Sequence, residues 1–99
     1  MTYTIERTDI FNDWLDALKD DRARAKIITR LTRAQNGNLG DHKSVGGGIS
    51  EMRINEGKGY RLYYTIRDSV LIIMLVGGDK SSQQADIRKA RQMREEMKP

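Results

Sequence analysis

The sequence predicts an α+β fold with the element order β-α-α-β-β-β-α. Residues 49–67 form two runs in which apolar and polar residues alternate around a turn with two glycines, a pattern typical of a β-hairpin. Residues 70–76 are apolar at every position, as in a strand that is covered on both faces. Three other segments repeat apolar residues at helical spacing, two before the hairpin and one after the apolar strand. We expect residues 1–99 to form a single domain.

The composition fits a small, charged globular protein. Of 99 residues, 37% are hydrophobic and 32% are charged, which allows one modest core. Cysteine is absent, so disulfide and thiolate chemistry are excluded, and this fits a reducing cytoplasm. The longest apolar segment, residues 70–76, is too short to span a membrane, and no export signal is recognisable at the amino terminus. We therefore expect a cytoplasmic protein that does not engage a membrane.

The charge is distributed unevenly along the chain. The net charge is +4; residues 1–42 hold seven Lys/Arg and seven Asp/Glu, whereas residues 43–99 hold eleven Lys/Arg and seven Asp/Glu. A basic half favours a polyanionic or acidic partner, although +4 is also an ordinary solubility charge.

The amino-terminal third predicts a strand and two helices. Residues 1–7 alternate as a short strand, and Thr8 or Asp9 then caps the first helix. Its apolar stripe includes the only Trp and the only Phe, which we expect to pack in the core. The second helix is predicted from Arg22 to about Gln35. One of its faces carries four cations: Arg22, Lys26, Arg30 and Arg33. This row is either a solvated face or a surface for nucleic-acid phosphates.

The segments on either side of the hairpin and apolar strand are polar. Residues 36–48 are predicted to form a loop. The three glycines at 46–48 could bind phosphate as in a P-loop, but the Lys-Ser/Thr ending of a P-loop is missing. They therefore predict a flexible or bulged entry into the next strand. His42 is the only histidine and is interpreted as a turn residue; we predict no metal site and no cofactor. Residues 82–97 predict a polar helix with a weak apolar side, docked only in part.

The hairpin predicts the candidate site. From Met52 to Ile66 the apolar strand residues have even numbers, and their side chains are expected to face the core. The side chains of odd-numbered residues point to the opposite face, which is expected to be exposed. They include three cations and an aromatic ring: Arg53, Arg61, Tyr63 and Arg67. We expect Lys43, from the preceding loop, and Lys80, from the loop after the apolar strand, to complete this surface.

Cations in the absence of metal ligands suit chemistry on phosphate esters. When a 2′-hydroxyl attacks the neighbouring phosphate of RNA, a base removes the hydroxyl proton and cations hold the charge that develops on phosphorus. Arg53 and Arg61 suit the second role, and a lysine whose pKa is lowered by neighbouring cations suits the first. Tyr63 suits stacking on an RNA base. The alternative is that a pair of surface arginines is plain charge.

Several stretches together resemble one known family. They are residues 51–54 (EMRI), 59–64 (GYRLYY), 75–80 (LVGGDK) and 84–90 (QADIRKA), with Trp14-Leu15, Ala23-Arg24, Arg30-Leu31 and Gly37-Asn38 upstream. On these residues the chain resembles the RelE/ParE superfamily of toxins from type II toxin–antitoxin modules. More narrowly, the chain resembles the branch described as addiction module killer proteins, which are related to HigB-type toxins.

The resemblance implies a fold and an activity. The fold is two amino-terminal helices packed on a twisted, mainly antiparallel sheet of three to four strands, with a carboxyl-terminal helix. The activity is ribosome-dependent cleavage of mRNA, which inhibits translation and is neutralised by a helix-turn-helix antitoxin; operator DNA is a partner only through that antitoxin. Two alternatives stay open: inhibition of DNA gyrase without catalysis, as in ParE-like relatives, and a weakly toxic protein that acts mainly in complexes with antitoxin and operator.

The resemblance also implies roles for single residues. Arg61, after Gly-Tyr, matches the family's transition-state arginine. The remaining expected catalytic residues are Lys80, Arg53 and, by a looser match, Lys43. The expected RNA-binding residues follow from the chemistry and spacing of the side chains and not from the resemblance: Tyr63, Arg67, Arg30 and Arg33. The chain departs from the family in lacking a tyrosine in residues 81–99, where Asp86 lies near the expected place.

Overall fold

A mixed five-stranded sheet lies between two layers of helix in the computed structural model, which describes residues 2–97. The strands are β1 (Thr4–Arg7), β2 (His42–Gly46), β3 (Ile49–Ile54), β4 (Tyr60–Arg67) and β5 (Leu71–Asp79). The helices are α1 (Asp9–Ala17), α2 (Asp21–Gln35) and α3 (Gln83–Glu96), and a short 3-10 helix covers Lys80–Ser82. The strand order is β1-β5-β4-β3-β2, parallel between β1 and β5 and antiparallel elsewhere. No helix of the described chain is long and apolar enough to cross a membrane.

The predicted class, α+β, is confirmed, but the predicted number of strands was too low. The additional strand is β2, in the segment that was interpreted as a loop, and it pairs with β3. Because β2 is an edge strand with mostly exposed side chains, it has no apolar alternation that would reveal it. The turn into β3 requires glycine: Gly46, Gly47 and Gly48 have φ angles of +86°, +64° and +78°, which other residues rarely adopt.

The larger hydrophobic core lies between the sheet and the two amino-terminal helices. As predicted, the apolar parity of the hairpin faces this core, although its last member, Ile66, is 38% exposed. From α1 and α2 the buried members are Phe11, Leu15, Ala23, Ile27, Leu31 and Ala34. The helices begin at side-chain caps, since Thr8 Oγ1 accepts from the Phe11 N–H and Asp20 Oδ1 from the Ala23 N–H, both at 3.0 Å.

A second, smaller core lies on the opposite face of the sheet, under α3. Ile87 and Ala90 of α3 are buried there against side chains of β3, β4 and β5. The carboxyl-terminal end of α3 is held by Arg67, whose Nη2 donates to the Met97 carbonyl at 2.6 Å, and Arg94 Nε donates to Thr65 Oγ1 at 3.3 Å. The helix is therefore docked along its length, and the expectation of partial docking was wrong.

Candidate functional site

The register of the hairpin brings two arginines face to face. Arg53 of β3 lies opposite Arg61 of β4, and Glu51 lies opposite Tyr63. Alternate residues of a strand share a face, so all four side chains lie on the face that α3 covers. Like charges that are directly opposite repel each other. This arrangement therefore needs a counter-ion.

Glu51 is that counter-ion. Its side chain is fully buried, and one carboxylate oxygen, Oε1, accepts from Arg53 Nε at 3.2 Å and from Arg61 Nη1 at 3.1 Å. The other oxygen, Oε2, accepts from the Tyr63 hydroxyl at 3.2 Å and from Nε2 of Gln83 at 3.1 Å. Glu51 thus joins β3, β4 and the first residue of α3 in one network, which we call the Glu51 cluster: Glu51, Arg53, Arg61, Tyr63 and Gln83.

The electrostatics of the cluster keep Glu51 ionised. Burial is the largest single influence and raises its pKa, but the hydrogen bond from Arg53, the charge of Arg61 and the hydrogen bond from Tyr63 together outweigh it. The pKa of Glu51 therefore lies below its ordinary value. Burial, together with the negative charge of Glu51, raises the pKa of Tyr63, so this phenol stays protonated at neutral pH.

The cluster carries one uncompensated positive charge, because two guanidinium groups share one carboxylate. Arg53 has 38% of its side chain exposed and Arg61 has 16%, so both are accessible from solvent at the edge of α3. Arg61 Nε is buried and has no hydrogen-bond partner among residues 2–97. The arrangement can accept an anion such as a phosphate, and Glu51 holds the two guanidinium groups in place for it.

The two predicted catalytic lysines lie on different sides of the cluster. Lys43 is exposed on β2 opposite Glu51, so it shares the face of Arg53 and Arg61. Lys80 opens the 3-10 helix and lies over the β3–β4 turn, where a Cβ on Gly59 would be 2.7 Å from Lys80 Cε. The strand register brings Lys80 near the Arg61 end of β4, since Gly78 pairs with Arg61.

Tyr63 cannot stack on a base in this structure. As predicted, Tyr63 lies on the same face of the sheet as the two arginines, but its ring is fully buried in the smaller core and its hydroxyl donates to Glu51. We expected this face to be exposed, and for Tyr63 that expectation was wrong because α3 covers the ring. The stacking role assigned to Tyr63 is therefore withdrawn.

The other predicted RNA-binding residues lie outside the cluster. Arg67 is about 20 Å from Arg61 along β4 at roughly 3.3 Å per residue, and it holds the end of α3. Arg30 of α2 donates to the carbonyls of Arg53, Leu39 and Asp41. Arg33 is exposed on α2 and lines a groove beside Arg53.

Sequence reasoning missed two members of the cluster. Neither Glu51 nor Gln83 was among the predicted site residues. The signal for Glu51 is its parity, because a carboxylate two residues before Arg53 on a strand must share its face. No comparable local signal marks Gln83, which reaches Glu51 only after α3 folds onto the sheet.

Asp86 of α3, which lies near the expected place of a tyrosine, accepts a hydrogen bond at 2.6 Å from Oγ of Ser82, the last residue of the 3-10 helix. Its carboxylate lies over Gly78, where an added Cβ would be 2.0 Å from Oδ2.

No three His, Cys, Asp or Glu side chains between residues 2 and 97 lie close enough together to hold a metal ion.

Comparison with known proteins decides the family. Residues 13–98 match the family described as Phage derived protein Gp49-like (DUF891). The chain belongs to this family. An uncharacterised protein of Haemophilus influenzae is 50% identical to this Gp49-like chain over 97 residues, which are 98% of each of the two proteins.

Solved structures show that the Gp49-like chain has the RelE fold. A free-state Escherichia coli toxin RelE with two arginines replaced by alanine superimposes with a TM-score of 0.74 at 16% identity, over 95% of this chain and 98% of RelE. The toxin–antitoxin complex RelBE2 of Mycobacterium tuberculosis contains a chain that matches with a TM-score of 0.65 at 22% identity, over 81% of this chain and all of the other. The fold class expected from the resemblance is confirmed, with five strands in place of three to four.

Proposed function

We propose that this Gp49-like protein is the toxin of a toxin–antitoxin pair and cleaves mRNA on the ribosome. The observation that carries the proposal is the Glu51 cluster, in which Arg61 and Arg53 are paired across two strands with one carboxylate between them. The RelE fold supports it, because two solved structures similar to this chain are a toxin and a toxin–antitoxin complex.

In the proposed reaction the 2′-hydroxyl oxygen of a nucleotide attacks the adjacent phosphorus. The new oxygen–phosphorus bond forms as the bond to the 5′-oxygen of the next nucleotide breaks, leaving a cyclic phosphate. Arg61 donates to the phosphate oxygens as their charge grows, and Arg53 assists from the opposite strand. Lys43 and Lys80 are the candidates for taking the 2′-hydroxyl proton and for protonating the 5′-oxygen.

The proposed partners follow from this function. The toxin acts in the cytoplasm on translating ribosomes and mRNA, and a helix-turn-helix antitoxin neutralises it. Contact with operator DNA occurs only through that antitoxin. The burial of Glu51 between the paired arginines, at the cost of its hydration, favours a binding site over plain surface charge.

The test is induction of the protein in bacterial cells, followed by mapping of mRNA 5′ ends by primer extension. We expect cuts that keep the reading-frame phase, and we expect Arg61→Ala to lower the cleavage rate by about 10² to 10³, the usual effect of removing a transition-state donor. Lys80→Ala should also reduce cleavage.

The control is Arg88→Ala, which removes an exposed cation of α3 outside the cluster. Intact mRNA together with relaxed or broken DNA would refute the proposal in favour of gyrase inhibition. Equal cleavage by wild type and Arg61→Ala would also refute it.

A further inference from the structure

A basic groove runs between α2 and the end of β3. β2 begins at His42, opposite Met52, while β3 continues to Ile54, so the end of β3 extends beyond its neighbouring strand on that side. The groove encloses about 380 Å³. Its walls carry Lys26, Arg30 and Arg33 from α2 and Asp41, Arg53 and Asn55 from the opposite side.

Arg30 builds one wall of the groove and is held rigidly. Its Nη1 donates to the Arg53 carbonyl at 2.5 Å, and its Nη2 donates to the carbonyls of Leu39 and Asp41 at 3.0 and 3.2 Å. Gly40 makes room for this guanidinium, since its φ is +66° and a Cβ there would lie 2.7 Å from Arg30 Nη2. Arg30 Nε is buried without a hydrogen-bond partner among residues 2–97.

The groove is electropositive. Three cations of α2, Lys26, Arg30 and Arg33, line it against the single carboxylate of Asp41, and three minus one leaves a net charge of +2. Burial lowers the pKa of Arg30 and nearby Arg33 lowers it further, while Asp41 offsets only part of this effect. Lys26 lies 3.9 Å from Glu56, and Arg33 has no ion-pair partner in the described chain. An anion in the groove would therefore meet positive charge that the protein itself leaves unneutralised.

Arg53 connects the groove to the Glu51 cluster. Its backbone carbonyl accepts from Arg30 in the groove, whereas its half-exposed side chain lies on the other face of the sheet and donates to Glu51 beside Arg61. A strand of phosphates that reaches Arg61 at the edge of α3 can thus pass the Arg53 side chain and continue around the end of β3 into the groove. Thr29 and Asn55 offer polar groups there.

We infer that the α2–β3 groove binds the RNA backbone on one side of the scissile phosphate, with Lys26 and Arg33 as its phosphate contacts. The inference rests on the proposed action on RNA. It assigns to the groove a share of RNA affinity that is independent of base sequence, because cations contact phosphates and not base edges. Arg61 would then carry the chemistry, and the groove would carry much of the affinity.

The test measures the affinity of the purified protein for a fluorescein-labelled single-stranded RNA of twelve nucleotides by anisotropy, at several salt concentrations. Each protein carries Arg61→Ala, so that the probe stays intact. We expect Lys26→Gln combined with Arg33→Gln to weaken binding by about tenfold and to reduce the slope of log affinity against log salt by about 1.4, since each lost contact to a single strand removes about 0.7.

The matched control is Arg88→Gln combined with Lys89→Gln, which removes the same charge from exposed positions of α3. We expect its salt slope to equal that of Arg61→Ala alone. Equal slopes in the groove and control variants, or no measurable RNA binding by any of the proteins, would overturn the inference. Lost antitoxin binding with unchanged RNA affinity would overturn it in favour of a protein-binding groove.

The outcome is separate from that of the proposed function. If RNA binding depends on Lys26 and Arg33 but mRNA is not cleaved in cells, the proposed nuclease activity is refuted and the RNA-binding role of the groove stands. If mRNA is cleaved in phase with codons but RNA affinity does not depend on Lys26 and Arg33, the nuclease activity stands and the role of the groove is refuted.

Discussion

Replacement of Glu51 by glutamine tests the central claim about the site, that one buried carboxylate holds two arginines together. Glutamine keeps the shape but removes the charge, and its NH₂ group cannot accept the hydrogen bonds that one carboxylate oxygen now accepts. Breaking a buried ion pair typically costs 3–5 kcal/mol. Arg53 is 38% exposed and can regain water, so we take the low end, about 3 kcal/mol. For a domain of this size that loss lowers Tm by about 12 to 24 °C.

The assay is urea unfolding followed through the fluorescence of Trp14, the only tryptophan. Glu56→Gln is the matched control, because Glu56 lies 3.6 Å from Arg22 and 3.9 Å from Lys26 near the surface and should contribute about 1 kcal/mol at most. If Glu51→Gln destabilises the protein no more than Glu56→Gln, Glu51 does not hold the arginines and the reasoning fails.

The same variant has a pH signature. The folded pKa of Glu51 is lowered, so the unfolded chain binds its proton first as pH falls. The stability from Glu51 is therefore complete above about pH 4.3, the ordinary value for glutamate, and is lost as pH falls through the folded pKa. Glu51→Gln should lack this part of the acid sensitivity. An unchanged pH profile between wild type and variant would contradict the assignment.

Two further substitutions test the packing around the site. Tyr63→Phe should lower the free energy of unfolding by about 1 kcal/mol, because Glu51 loses one of its hydrogen bonds, and should reduce mRNA cleavage far less than Arg61→Ala does; a loss as large as that of Arg61→Ala in primer extension would show that the phenol acts on RNA. Gly77→Ala should destabilise the protein by about 2 kcal/mol in urea unfolding, since its Cβ would lie 2.3 Å from Cζ3 of Trp14; unchanged stability would show that α1 is free to shift.

Local patterns in the sequence predicted much of the fold. Alternation identified the hairpin and its core-facing side, and the uninterrupted apolar run at 70–76 identified a strand covered on both faces, which is β5. Edge strand β2 escaped detection because its exposed residues need no apolar pattern. Leu75 and Val76 are neighbours in sequence yet both face α3, because a bulge interrupts the pairing of β4 with β5. The alternation of side chains between the two faces of a strand does not predict where such a bulge occurs.

By itself the sequence determined which side of the hairpin carries Arg53 and Arg61, because strand periodicity is a local property of the chain. It also placed four cations in a row on the second helix. Only the tertiary structure decided that α3 covers the arginine face, that Tyr63 is buried, and that Glu51 is the shared counter-ion. These facts depend on contacts between residues distant along the chain, such as Glu51 and Gln83. A pattern within one segment cannot contain them, since the burial of a side chain is set by whichever element packs over it.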